Sequence, residues 1–427
     1  MSQTYYYAHI PKTGGTSFTA LLDRFFSVDE VFPERVWPRV ESNHSTSNQP
    51  YRLYRGHFGG GGIKALTDAE CWLMTMLRQP EDLVVSTYHF TRRTPQIMGH
   101  QLVQDENMSL TDFLQQPDTS CLASDRMTRF LSFDFQQDPA VQGVFLNQKA
   151  IERLVPLLAD EPVMMAPQER LKRAWSFIQK THWFGLLERF DDSLRLLCYQ
   201  MKWPPIRQTQ KLNQAAKKNT VSSQQKQLIA QLNQLDTQLY EQASQLFDQR
   251  FEAMVADLKK YQTSTSQPLD DQLDLYYQAE GNNPQEQSID YQFDQPLKGT
   301  GWHRRQPIQG GRGQCRWTGP DASSSIDFWL KPNNYELTVE VIHAISTEVL
   351  DDLSIYANKH PLQWATEAKG VHRTIKATVS KTMIQPNGLL RLVFKLPQTK
   401  PFSELDQSKD ERVVGMAISG MKLNPMN

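Results

Sequence analysis

The chain has 427 residues, 39% hydrophobic and 10% aromatic, which is enough apolar mass for packed cores and excludes wholesale disorder. Its 46 Lys and Arg against 47 Asp and Glu leave a net charge of −1. That balance argues against a generic nucleic-acid coat or a polybasic membrane binder, so any anion site must be a local cluster.

No apolar run approaches the ~18 residues of a membrane-spanning helix. The opening Met1-Ser2-Gln3-Thr4-Tyr5-Tyr6-Tyr7 has no basic or apolar leader region and reads as lacking a secretory signal. Cys71, Cys121, Cys198 and Cys315 are far apart and form no CxxC pair, which suggests neither a disulfide framework nor a zinc site and fits a reducing cytoplasm. At roughly 100–200 residues per domain, two domains are expected. Thr4–Ile10 reads as a short buried strand followed by a turn and a helical pattern, and Trp72–Leu77 repeats that order. Strand, loop and helix in succession specify a parallel sheet flanked by helices, an α/β domain over residues 1–262. Leu228, Leu232, Leu235, Leu239, Leu246 and Phe247 recur at helical spacings and predict one long amphipathic helix. Residues 263–289, with a Thr-Ser-Thr-Ser run and Gly281-Asn282-Asn283-Pro284, read as a linker.

From 290 to 427 the pattern changes to β-type alternation, at Tyr335–Ile342, Leu353–Ala357, Thr374–Val379 and Leu389–Leu396. Turns such as Pro332-Asn333-Asn334 and Pro386-Asn387-Gly388 separate them, as in an antiparallel β-sandwich. Trp302, Trp317, Phe328, Trp329 and Trp364 lie in or beside these strands. Such aromatics can stack on sugar rings, although burial inside a sandwich is the commoner outcome. The Gly301-Trp302-His303 and Arg316-Trp317-Thr318-Gly319-Pro320 stretches resemble the start of a jelly-roll-like domain attached to bacterial sugar-processing enzymes, which would make this an accessory domain.

The stretch Ala8-His9-Ile10-Pro11-Lys12-Thr13-Gly14-Gly15-Thr16-Ser17 carries the most chemistry. A strand ends, two glycines allow a tight turn, and a helix begins, so backbone N–H groups and the positive helix end converge where a phosphate or sulfate oxygen would sit. Lys12 adds charge there, and the Thr13, Thr16 and Ser17 hydroxyls add donors. Lysine precedes the glycines, unlike the Walker A order, so an ordinary ATPase fits poorly. A second stretch, Leu77-Arg78-Gln79-Pro80, ends a strand and is followed by Ser86 two turns into a helix. Guanidinium and hydroxyl together suit a phosphate group.

These two motifs resemble the 5′-phosphosulfate loop and the 3′-phosphate motif of sulfotransferases that use 3′-phosphoadenosine 5′-phosphosulfate (PAPS). The resemblance covers about residues 4–255, includes Phe184-Gly185-Leu186-Leu187-Glu188-Arg189-Phe190, and is nearest to uronosyl 2-O-sulfotransferases and their bacterial soluble relatives. It implies a P-loop-like sheet and PAPS as co-substrate. Lys12, Thr13, Gly14, Gly15, Thr16 and Ser17 would hold the 5′ side of the donor, and Arg78 and Ser86 the 3′-phosphate. The resemblance also gives His57, in the glycine-rich segment between the motifs, the role of base, and histidine's pKa suits that task. Lys12 would stabilise charge on the departing oxygen. Arg129 and His89 are further cleft candidates. Lys211, in a basic stretch from Arg207 to Lys218, would close over the nucleotide. No Asp/Glu/His cluster has metal spacing, so no metal is expected.

The reading is therefore an enzyme moving a sulfuryl group to a hydroxyl of a glycan or glycosylated small molecule. No nucleic-acid or membrane partner is expected, and the oligomeric state is open. Two alternatives stand beside it: a small-molecule kinase with a divergent phosphate loop, and a non-catalytic glycan-binding protein.

Overall fold

A computed structural model describes residues 3–37, 40, 51–133, 165–207, 221–281, 283–366, 370–406 and 410–426. The chain forms two compact units. The first comprises Met1–Thr19, Asp29–Leu197 and Gln210–Asp257, and the second comprises Ala20–Val28, Cys198–Thr209 and Leu258–Asn427.

The first unit is built on a parallel sheet. Its strands are β1 (Thr4–Ala8), β2 (Leu53–Gly56), β3 (Cys71–Leu77) and β4 (Trp183–Leu186), in the order β2-β1-β3-β4. The register aligns Ala8 with Gly56 and Thr75, and Leu77 with Leu186. The strands are mostly buried because helices cover the sheet, as parallel sheets require. Tyr6, Tyr7 and Ala8 are fully buried, and Phe18 of helix α1 (Gly15–Leu22) stacks on Trp183 of β4 at 4.6 Å. The strands all end on one edge. The residues that follow them (His9 after β1, His57 after β2, Arg78 after β3) therefore emerge side by side, where open α/β sheets place ligands.

The predicted amphipathic helix is two helices, Ser223–Leu232 and Gln234–Leu258, broken at Asn233. Asn233 leaves the helical backbone because its side chain is engaged twice, donating to Ile229 O at 3.0 Å and accepting from Asp125 N at 3.0 Å.

The second unit carries antiparallel sheets. One runs, in neighbour order, Trp364–Thr366, Arg373–Val379, Tyr335–Ala344, Met416–Pro425, Gln314–Trp317 and Gln306–Pro307, with Ile289–Gln292 also paired to Met416–Pro425. The other runs His360–Leu362, Ser354–Ala357, Leu389–Lys395, Ser323–Trp329 and Gly299–Thr300. Inward residues of both, including Leu337, Val339, Ile326, Ile355 and Leu392, share one apolar core.

Trp302, Trp317, Phe328 and Trp329 are buried and Trp364 packs half-buried against that core, so these aromatics fill the interior. The stretch read as a linker differs from expectation. It contains the helix Leu269–Glu280, which buries Leu273 and Tyr277 and ties Asp274 to Arg391 at 2.6 Å. Arg391 bridges onward to the buried Asp327 at 2.8 Å, so this helix is part of the second unit.

Candidate functional site

The turn after β1 is built for close approach. Lys12 (φ 71°) and Gly14 (φ 80°) take left-handed backbone, and Thr13 Oγ1 donates to Ile10 O at 2.8 Å to close the loop. A lysine at positive φ is uncommon and is held where the surroundings determine it. Gly15 opens α1 because nothing larger fits: a Cβ there would lie 1.8 Å from His9 Nε2.

Arg78 reaches this loop from the next strand, its Nη1 donating to Lys12 O at 2.9 Å. Its Nε is buried and has no hydrogen-bond partner among the described residues. Ser86 is half-buried on the helix Pro80–Arg93, one turn before Phe90. The Phe90 ring lies 4.2 Å from Lys12 Nζ in a cation–π contact. Phe90 of that helix thus meets the Lys12 side chain. Thr13 is buried, Ser17 half-buried and Thr16 exposed.

His57 follows β2. Its Nδ1 lies 2.7 Å from His9 O, and a carbonyl can only accept, so Nδ1 carries the proton and the neutral ring keeps its lone pair on Nε2. The His9 and His57 rings are 4.2 Å apart. Burial pulls the His57 pKa down to about 4; the bond to His9 opposes this, while the charges of Arg126 and Arg35 add to it. His9 is likewise held neutral by burial, then by the His57, Arg35, Lys12 and Arg55 charges. Lys12 is lowered to about 8 by burial and by Arg93, Arg126 and Arg78. Arg126 thus acts on both Lys12 and His57. Cations concentrate here while the acids that touch Arg78 electrostatically, Asp82 and Glu188, stand to one side; Glu188 accepts from Gln79 N at 2.9 Å. That much like charge around one loop makes the local potential positive.

Of the other predicted residues, Arg129 is buried and its Nη2 donates to Cys121 O. Three residues earlier on the same helix, Arg126–Ser132, Arg126 is the arginine whose charge reaches Lys12 and His57. The two are neighbours on one helix face, and nothing in the sequence separated them. Asp236 sets that helix in place, its carboxylate accepting from Met127 N at 2.9 Å and Thr128 N at 2.7 Å. Reciprocally, Asp125 accepts from Leu235 N and Asp236 N. His89 is half-buried on the helix Pro80–Arg93, its pKa lowered by burial and by Arg93 and Arg92. Lys211 lies outside the described residues, as do Lys217 and Lys218, and Arg207 pairs with Asp271 at 2.7 Å.

Among the described residues, no group of three or more His, Cys, Asp or Glu could hold a metal ion, and no helix is long and apolar enough to cross a membrane. No protein-family model and no curated protein matches the chain. Among solved structures it is similar to a family GH115 4-O-methyl-α-glucuronidase with specificity for decorated arabinogalactans, at 10% identity and a TM-score of 0.22. That match covers 83% of this chain, which spans about half (51%) of the glucuronidase. A likeness of that size carries no argument about fold or activity.

Proposed function

We propose that the first unit is a PAPS-dependent O-sulfotransferase of the sulfotransferase fold, acting on a carbohydrate hydroxyl. The observation that carries this reading is the bond from Arg78 to the Lys12 carbonyl, which ties the two nucleotide-binding motifs together at one sheet edge beside His57. Lys12, the Gly14-Gly15 turn and the Thr13, Thr16 and Ser17 donors hold the phosphosulfate end. Arg78 and Ser86 hold the 3′-phosphate. His57 Nε2 takes the proton of the acceptor hydroxyl as its oxygen bonds to sulfur. The sulfur–oxygen bond to the 5′-phosphate breaks, and the leaving bisphosphate keeps the electron pair beside Lys12. Positioning and fixed charge do most of the work in such transfers. All four cysteines carry free thiols, which suits a reducing compartment.

The test is transfer of labelled sulfate to a panel of glycans, comparing wild type with Lys12→Ala and His57→Ala. Both variants should lose turnover by at least ~10²-fold. Turnover left intact in both, in protein that binds 3′,5′-ADP, overturns the mechanism.

A further inference from the structure

The seven-residue helix Arg126–Ser132 holds no residue with a role in the proposed transfer, yet it touches both sides of the site. At its first turn, Met127 Sδ accepts from Arg78 N at 3.5 Å, and Arg126 Nη1 donates at 3.4 Å to Oγ1 of Thr87, the neighbour of Ser86. At its last turn, Phe130 O accepts from Gly60 N at 3.0 Å, just after His57 in the chain. The fit there leaves no slack. A Cβ on Gly60 would lie 2.1 Å from Leu131 O, and one on Gly59, at φ 80°, would lie 1.9 Å from the Phe133 ring. Tyr6 Oη holds Gly59 as well, donating to its carbonyl at 2.5 Å. One short helix therefore spans the Arg78 motif and the loop that follows His57.

A helix of this length does not fix its own position, because its first amides find no acceptor within it and so few turns are marginal alone. Here an acid from a distant part of the sequence takes those amides. Asp236 Oδ2 accepts from Met127 N at 2.9 Å and Oδ1 from Thr128 N at 2.7 Å, one carboxylate oxygen for each. The exchange is mutual. Asp125 Oδ1 accepts from Leu235 N at 2.9 Å and Asp236 N at 3.0 Å, where the helix Gln234–Leu258 begins, and Asn233 Oδ1 accepts from Asp125 N. Asp236 is fully buried, and burial and then the Asp125 charge both work against its ionisation. A cap built for stability alone does not need two facing acids, since Ser, Thr or Asn would cap either helix without that repulsion. What the acids do fix is orientation: two oxygens on two successive amides constrain the helix as one hydroxyl acceptor would not.

We propose that Asp236 and Asp125 are positioning residues of the site in the first unit: their reciprocal cap seats the helix Arg126–Ser132, and the seated helix sets Arg78 and the His57 loop relative to each other. Asp236, fully buried, acts through the helix and not on a ligand. The consequence for nucleotide binding rests on the sulfotransferase reading; the consequence for Arg78 and Gly60 does not.

The test is hydrogen exchange and 3′,5′-ADP titration on the full chain, comparing wild type with Asp236→Ala and Asp236→Asn. In Asp236→Ala the amides of Gly60 and Arg78 should lose protection while those of Tyr6 and Tyr7 in β1 keep theirs, and 3′,5′-ADP should bind roughly 2–30-fold more weakly. Asp236→Asn keeps one acceptor oxygen, so both effects should be smaller there. Should Asp236→Ala fail to fold, Asp236→Asn and Asp125→Ala still decide. Loss confined to Met127 and Thr128 would make the cap a local one, and equal loss in β1 would make it ordinary destabilisation; either result overturns the proposal. If wild type binds no 3′,5′-ADP but Gly60 and Arg78 still lose protection in the variants, the positioning role holds and the sulfotransferase reading alone falls.

Discussion

Replacing Arg78 with lysine keeps the charge and removes the fork, and the structure sets what should be lost. Arg78 Nη1 holds the Lys12 carbonyl at 2.9 Å, and the buried Nε has no hydrogen-bond partner among the described residues. A charge-assisted hydrogen bond is worth about 1.5–3 kcal/mol, so losing one from the guanidinium to a 3′-phosphate should weaken 3′,5′-ADP binding by roughly 10–150-fold. The bond to Lys12 O acts differently. It shapes the loop for any 5′-phosphate, and losing a bond of about 0.5–1.5 kcal/mol should weaken 5′-AMP by only roughly 2–12-fold. Titration calorimetry with both nucleotides on wild type and Arg78→Lys separates the two roles. The preference for the bisphosphate over 5′-AMP should collapse in the variant. If affinity for both falls equally, Arg78 only positions the loop. If wild type binds neither, the nucleotide reading is wrong.

Three further outcomes are expected. Gly15→Ala should cost about 1–3 kcal/mol in unfolding midpoint measurements, because its Cβ would meet the His9 ring at 1.8 Å and that ring is held between Tyr7, on which it stacks, and His57; an unchanged midpoint would show that the loop is looser than described. Burial raises Asp236 to about 6, so the folded state favours the neutral acid, and this carboxyl's contribution to stability is present below pH ~4 and lost as pH rises through 6. Denaturant midpoints at both ends of that range should differ less in Asp236→Asn than in wild type, and equal differences would refute the assignment. His57 is shifted the other way, so its contribution is present above the ordinary histidine value of ~6.5 and lost as pH falls toward 4. Histidine NMR should find that titration near 4 and should find it raised in Arg126→Ala, since the Arg126 charge helps to depress it; no movement would place Arg126 away from the ring.

How far the sequence discloses all this depends on whether the signal is local. The β1 turn is legible because Ile10, Gly14 and Gly15 are neighbours whose chemistry acts within the loop. The end of β3 is legible for the same reason, and four expected strands of the second unit recur within two residues of their predicted ends. β2 is not legible: its four residues include Arg55, which is buried by donating to Phe32 O at 3.0 Å, and a charge breaks the apolar run that announces a buried strand. The helix Leu269–Glu280 is hidden similarly. Its apolar residues Leu273, Tyr276 and Tyr277 are diluted by Asp270, Asp271 and Asp274, and the partner that makes Asp274 useful, Arg391, is distant in sequence. Residues 20–28 and 198–209 group with the second unit through contacts that no local pattern encodes.

The electrostatics at the β1–β2–β3 edge bear on the order of events in the proposed reaction. With His57 near 4 and Lys12 near 8, the free site has a weak base and a lysine partly robbed of its proton by its neighbours. Burial comes first in both depressions; the charges of Arg126 and Arg35 add to it at His57, and those of Arg93, Arg126 and Arg78 at Lys12, and this second source reverses when a polyanion arrives. A bound bisphosphate offsets those charges, so His57 becomes more basic and Lys12 more fully protonated in the same event. The site would then be competent to take a proton from an acceptor only once the donor is in place. A base already near 7 in the free protein would instead sit protonated part of the time beside Arg126 and Arg35, at a cost their charge adds to. In the proposed reaction the donor's own charge would offset the share of both depressions that the arginines contribute, on top of the larger share set by burial.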